Sequence, residues 1–195
     1  MTRRGWMDIG TELFRDALAR LTDAELDAPS LLPGWTRKHV VVHVHHNAEA
    51  LRRLVRWAAT GVEHRMYKDE RQRTDEIEAS MPLPAARVRA LVAQSADALS
   101  ADLDALSPDA WSRLVVTAQG RTVAATEIPW MRAREVAVHA VDLAAGVGFA
   151  DLPEDLNAAL IADAIARQCR YGLTADLAAW LTGRTAEAPA LGRWL

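Results

Sequence analysis

The sequence predicts an all-α protein, a four-helix bundle carrying one short β-hairpin and a small helical C-terminal extension. Four segments repeat apolar residues at helical spacing, and Ala, Leu, Arg and Glu dominate between sparse Gly and Pro punctuation. A single β-prone stretch is long enough for one hairpin and no more. At 195 residues, half of them hydrophobic and a quarter charged, the chain can bury a substantial core, which excludes a disordered, collagen-like or low-complexity protein.

The first helix is expected over 8–26, where Leu13, Phe14, Ala17, Leu18 and Leu21 recur at helical spacing. The second follows Leu32-Pro33-Gly34-Trp35, with Thr36 as its N-cap and Thr60-Gly61 as its stop. Residues 62–80 are mostly charged and polar and read as a long loop or an irregular helical excursion, a kind of segment that often carries function. A third helix, 85–103, follows Pro82 and Pro84. The run from Leu114 to Val123 is expected to form the hairpin, turning at Gln119-Gly120. The fourth helix starts near 127–130 and ends by Gly146. Two further helical stretches, 153–171 and 174–181, precede a tail ending in Trp194-Leu195. The expected division is a bundle domain over 1–150 and an extension over 151–195, with no internal repeat and no linker rich in Gly, Ser or Pro.

Charge narrows the partners. Lys and Arg number 23 against 26 Asp and Glu, a net charge of −3, so no global positive field would hold nucleic acid or an anionic membrane. The lone Cys169 excludes an internal disulfide and a thiolate-rich zinc cage. The start MTRRGWMDIG lacks the apolar core of a signal peptide, and the expected location is the cytoplasm. Either a monomer or a homodimer fits a bundle of this size.

Four of the six histidines, His39, His43, His45 and His46, lie in the second helix. At about 100° per residue, Val40, Val44, Leu51, Val55 and Ala58 define its core stripe. His43 and Asn47 fall at the stripe's edge, and His45 falls among Arg52 and Arg56, where solvent is expected. The fourth helix is apolar around most of its circumference yet carries Arg132, Glu135, His139 and Asp142 along one strip. Glu135 and His139 are one turn apart on the same face. Polar groups on a largely buried helix must be paired, hydrated or metal-bound. One solution serves both helices: a divalent metal held by His43, Glu135 and His139, with an open position for chemistry, and Asn47 and Asp142 orienting the rings. Spacing alone leaves open an ordinary polar helix pair and a satisfied core histidine.

Other patterns carry less. Gly146-Val147-Gly148 follows a helix and lacks a third glycine, so it is no dinucleotide fingerprint, and no Walker, nucleophile-elbow or HExxH pattern occurs. The seven tryptophans read as bundle packing, and Cys169, beside Arg167 and Arg170, as an ordinary small residue. Tyr67, Arg71 and Arg73 in the polar excursion are candidates to reach over a pocket.

Several stretches in order resemble one family. They are Leu32-Pro33-Gly34-Trp35-Thr36-Arg37 followed by His43; Met66-Tyr67 and Arg73; the hairpin Thr117-Ala118-Gln119-Gly120-Arg121-Thr122-Val123; and Trp130-Met131-Arg132-Ala133-Arg134-Glu135-Val136 through His139-Ala140-Val141-Asp142-Leu143. Over residues 8–155 the chain resembles the mycothiol-dependent maleylpyruvate isomerase family, within the DinB-like superfamily of metal-binding four-helix bundles. The resemblance implies zinc, or another divalent metal, on His43, Glu135 and His139. It further implies mycothiol, a small thiol of actinobacteria, as cosubstrate, and conversion of maleylpyruvate to fumarylpyruvate in gentisate degradation. The implied chemistry is addition of a thiolate to the cis double bond, rotation about the resulting single bond, and expulsion of the thiolate. Arg73, Arg121, Arg132 and Arg184 are the candidates to hold the substrate's carboxylates and enolate, and Tyr67, Asn47 and Arg184 to contact the thiol. Members of the family carry a C-terminal α/β domain of several strands. The region after Tyr171 is too short for those strands, although Leu177-Ala178-Ala179-Trp180-Leu181-Thr182-Gly183-Arg184 resembles that domain's last helix. Two alternatives remain at this level: a mycothiol S-transferase acting on another electrophile, and a metal-binding bundle without turnover. The expected partners are thus a small thiol and a small electrophilic dicarboxylate.

Overall fold

Helix α1 (Arg3–Ala19) begins at Thr2, whose hydroxyl accepts the Gly5 N–H at 3.1 Å. It starts and ends earlier than its apolar pattern suggests. Beyond Ala19, the Thr22 N–H and hydroxyl both donate to Glu25 Oε2, at 2.7 and 2.8 Å, and this local bonding competes with continued helix. Leu26 is therefore buried from a separate 3₁₀ turn, Ala24–Asp27. The structure, a computed structural model, describes residues 1–69 and 71–192, so the expected tail residues Trp194 and Leu195 lie outside the described residues.

Helix α2 (Arg37–Thr60) keeps its expected bounds. Thr36 Oγ1 accepts the His39 N–H while His39 Nδ1 accepts the Thr36 N–H, a capping box in which an imidazole takes the usual place of Glu or Gln. Gly61, at φ +74°, supplies the left-handed stop. The polar stretch 62–80 ends in a regular helix, α3 (Gln72–Ser80), whose first turn is secured by Asp69 Oδ1 accepting from the Arg71 and Gln72 N–H groups. Helix α4 (Ala85–Asp104) follows Pro84, and α5 (Pro108–Ser112) is a single extra turn capped by Ser107. Strands β1 (Leu114–Val116) and β2 (Thr122–Ala124) pair antiparallel with Val115 opposite Val123. Helix α6 (Ile128–Asp142) completes the bundle.

Residues Thr2–Asp151 form one compact unit. In it α1 lies along α6, and α2 packs against both α4 and α6. Gly10 permits the α1–α6 approach: a Cβ there would stand 2.8 Å from Val136 Cγ2 and 3.3 Å from the Ala137 nitrogen. One core cluster centres on Leu51, Leu54, Leu99 and Ile128, the other on Phe14, Val40, Val41 and Leu143. Each fully buried aliphatic side chain contributes roughly 1.5–3 kcal/mol.

The second unit, Leu152–Leu195 with Met1, contains α7 (Glu154–Arg170) and α8 (Thr174–Leu181), which pack on each other. No described helix is long and apolar enough to cross a membrane.

Candidate metal centre

His43 projects from the second turn of α2 and is 3% exposed; Glu135 and His139 project one turn apart from α6. His43 Nε2 lies 3.0 Å from Glu135 Oε2, and His139 Nε2 lies 3.3 Å from the same oxygen. The two imidazoles are perpendicular, 5.0 Å between ring centres. One donor atom from each of the three residues lies within 4.8 Å of the others, the one such group of His, Cys, Asp or Glu among the described residues.

The proton balance of the three is set by burial and by one another. Burial pushes His43 down to about 4, outweighing the attraction of Glu135. Burial also opposes charge on Glu135, yet His139 and His43 beside it hold its carboxyl well below the usual range. For His139 burial is overcome by Asp142 and Glu135, and its pKa rises to about 9.

These residues fit a divalent cation. His139 Nε2 is fully buried and makes no hydrogen bond, although it points toward Glu135 and His43. Its other nitrogen, Nδ1, is bonded to Asp142 Oδ2 at 2.7 Å, which fixes the ring so that Nε2 faces the cluster. Two imidazoles and one carboxylate match the preference of zinc, iron, cobalt or nickel and leave coordination positions open.

The surroundings divide the remaining expected residues. Arg73 on α3 stands with Nη2 3.5 Å from His43 Nδ1, and its guanidinium lies 5.8 Å from the centre of the Trp35 ring. It also lines a cavity of about 390 Å³ with Arg65, Met66, Tyr67, Lys68 and Thr117. Tyr67 is half-buried there, and burial pushes its hydroxyl up to about 12, so it stays protonated. Trp35, read from sequence as packing, meets His43 edge to face at 5.6 Å. The loop holding it is tied to the end of α6 by the Leu31 N–H donating to the Asp142 carbonyl at 3.0 Å, a long-range bond that no local pattern signals.

Arg132 and Asn47 are placed otherwise than expected. Arg132, expected to hold a carboxylate of the substrate, is 1% exposed and donates through Nη1 to the Val44 carbonyl and to Asn47 Oδ1. The reason is geometric: α6 is buried on nearly every side, so the side chain one turn before Glu135 points into packed protein. Asn47, 5% exposed, is engaged by that guanidinium. Arg121 is exposed at the hairpin turn, where its N–H donates to Thr117 Oγ1. Arg184 belongs to the second unit, exposed after α8 and bonded to the Thr182 carbonyl. His39 is committed to the α2 cap, and His45 is half-buried rather than solvated, because α2 packs against α4 as well as α6. His46 bonds Ser80 Oγ at 2.9 Å.

The fold and the cluster define a four-helix bundle with a buried centre of two histidines and one carboxylate. Residues 7–144 match the Mycothiol maleylpyruvate isomerase N-terminal domain, and the chain belongs to that family. A crystal structure of a mycothiol-dependent maleylpyruvate isomerase superimposes with a TM-score of 0.78 at 44% identity, covering 79% of this chain and 64% of that one. A histidine-to-alanine mutant of a mycothiol-dependent maleylpyruvate isomerase gives 0.77 at 43% over the same shares. YfiT from Bacillus subtilis, a bundle of unusual topology, shares the fold at 18% identity and a TM-score of 0.54, covering 73% of this chain and 85% of its own. The chain therefore spans just under two thirds of the isomerase chains it matches. No curated protein matches it.

Proposed function

We propose that the protein is a mycothiol-dependent cis–trans isomerase converting maleylpyruvate to fumarylpyruvate, with zinc as the metal. The observation that carries this reading is the buried His43–Glu135–His139 cluster, whose His139 Nε2 makes no hydrogen bond, with Arg73 beside His43 and lining a cavity together with Arg65 and Lys68. Kinship with a mycothiol-dependent maleylpyruvate isomerase at 44% identity supports it.

His43, Glu135 and His139 would hold the metal, which supplies a low-pKa environment for a thiol so that the nucleophilic thiolate exists at neutral pH. Asp142 keeps His139 in the tautomer with Nε2 free for the cluster. Arg73, over Trp35, beside His43 and lining the cavity, would bind a carboxylate of a dianionic substrate. Tyr67, protonated at any working pH, offers a hydroxyl donor to an oxygen that gains charge when the thiolate adds to the double bond. Thiolate expulsion after rotation regenerates the thiol, so none is consumed.

The test is metal content of the protein followed by mycothiol titration and assay with maleylpyruvate. The reading expects one equivalent of zinc, a thiol-dependent trans product, and loss of both in His43→Ala, Glu135→Ala and His139→Ala. Stoichiometric thiol consumption would replace the isomerase by a transferase, and absence of bound metal would remove the centre altogether.

A further inference from the structure

Arg132 is the bulkiest of the fully buried side chains among the described residues, and no carboxylate there is bonded to it. Both of its acceptors, the Val44 carbonyl at 2.7 Å and Asn47 Oδ1 at 2.8 Å, are uncharged, and among the described residues it makes no ion pair with a carboxylate. The charged and titratable groups that act on it are Glu135, one turn further along α6, Arg15 of α1 and His45 of α2. Arg15 is itself engaged by Glu12 and Asp97. Burial lowers the Arg132 pKa only to about 10, which leaves it charged at neutral pH.

A buried cation bonded to no carboxylate is costly, and a neutral side chain of similar volume is often tolerated as well or better where the role is packing alone. The two hydrogen bonds do not demand a charge either, because an amide N–H would satisfy them. What the guanidinium adds is a field. Its place relative to the cluster is set at two points: Val44 directly follows His43 in α2, and Glu135 lies three residues on in α6, about 4.5 Å along the helix axis. Enclosed in protein, the charge is screened little by water or salt.

We propose that Arg132 is a fixed countercharge for the His43–Glu135–His139 centre, raising its affinity for a monoanionic ligand such as a thiolate without touching that ligand. This deepens the function proposed above and rests on its metal centre, not on its thiol. Arg132 is a positioning charge and not a catalytic residue. Its distinguishing mark is that the sign of the side chain matters more than its shape.

The experiment loads the protein with cobalt(II) and titrates azide, a small monoanion, by the visible spectrum at one pH. Unsubstituted protein is compared with Arg132→Lys, Arg132→Gln and Asn47→Asp. The lysine variant keeps the charge and is expected to bind azide within about threefold of the unsubstituted protein. The glutamine variant removes the charge and is expected to bind on the order of tenfold more weakly with cobalt content unchanged, as for unit charges roughly 10 Å apart at an effective dielectric of about 20. Asn47→Asp retains an acceptor for the guanidinium while neutralising it in place, so it gives the same weakening even if the glutamine variant fails to fold. Unchanged azide affinity in the glutamine or aspartate variant, or equal weakening in lysine and glutamine, would overturn the proposal. So would failure of the unsubstituted protein to take up cobalt. A parallel titration with N-acetylcysteine separates the two ideas: the azide pattern without a sulfur-to-cobalt band retains the countercharge and discards the thiol reading.

Discussion

His43 Nε2 and Glu135 Oε2 lie 3.0 Å apart although 92 positions separate the two residues. The contact joins the second turn of α2 to the middle of α6, and the neighbouring clamp from Arg132 to Val44 and Asn47 fixes the same pair of helices within about one turn. The cluster is therefore held by the most regular part of the bundle, which favours preorganised geometry over a site assembled by loops.

Asp142 is expected to set metal affinity through His139. Asp142→Asn weakens the 2.7 Å contact to Nδ1 and permits the wrong tautomer. The expected loss is about 10- to 100-fold in zinc affinity, measured by competition with a chromophoric chelator, with little change in helical content.

Arg73 tests the substrate side of the same centre. It contacts His43 and Trp35 and lines the cavity, yet contributes no donor atom to the metal cluster. Arg73→Ala is expected to raise KM for a dianionic substrate by about tenfold or more, with Arg73→Lys intermediate because a point charge replaces a planar fork. Zinc content should be unchanged in both, as read by elemental analysis.

Gly10 tests the packing that aligns α6. A valine there would drive its side chain into Val136 Cγ2 and the Ala137 backbone, neither of which is the free end of a flexible chain. Gly10→Val is expected to lower unfolding stability by about 2–3 kcal/mol in urea titrations. A stability equal to that of the unsubstituted protein would show that α1 and α6 can separate freely.

The metal-free protein should be most stable near pH 6.5. His43 and His45 are both pushed down to about 4, chiefly by burial, and His46 moves in the same direction. For such groups the unfolded chain binds more protons between about pH 6.5 and 4, so stability falls as pH drops through that window. His139, raised to about 9, acts with the opposite sign: its contribution is complete below about pH 6.5 and is lost as pH rises toward 9. Thermal melts in chelator across pH 4.5–9 should show both limbs, and His45→Gln should flatten the acid limb while leaving the alkaline one in place.

Much of the bundle can be read locally. The Thr36 cap and the Gly61 stop bound α2 because each acts on the backbone within one turn. The β-prone residues on either side of Gln119-Gly120 give β1 and β2 for a similar reason. Where longer interactions compete, the pattern misleads. Leu21 and Leu26 continue the apolar period of α1, but Thr22 and Glu25 bond locally and end the helix. Residues 62–80 look like loop because α3 is nearly all polar; it is stabilised by the Asp69 cap and by Arg53 on α2 pairing with Glu76.

The sequence by itself determined which residues of α2 and α6 share a face, because helical periodicity is a property of neighbours three and four apart. That was enough to group His43 with Glu135 and His139. Only the tertiary structure decided that Trp35 and Arg73 reach His43, that His45 is covered by α4, and that Arg132 turns inward to Val44 and Asn47 instead of facing a pocket. Those outcomes depend on which helices pack together and at what rotation. Such choices are fixed by contacts between residues tens of positions apart, such as Gly10 against Val136, and no local pattern carries them.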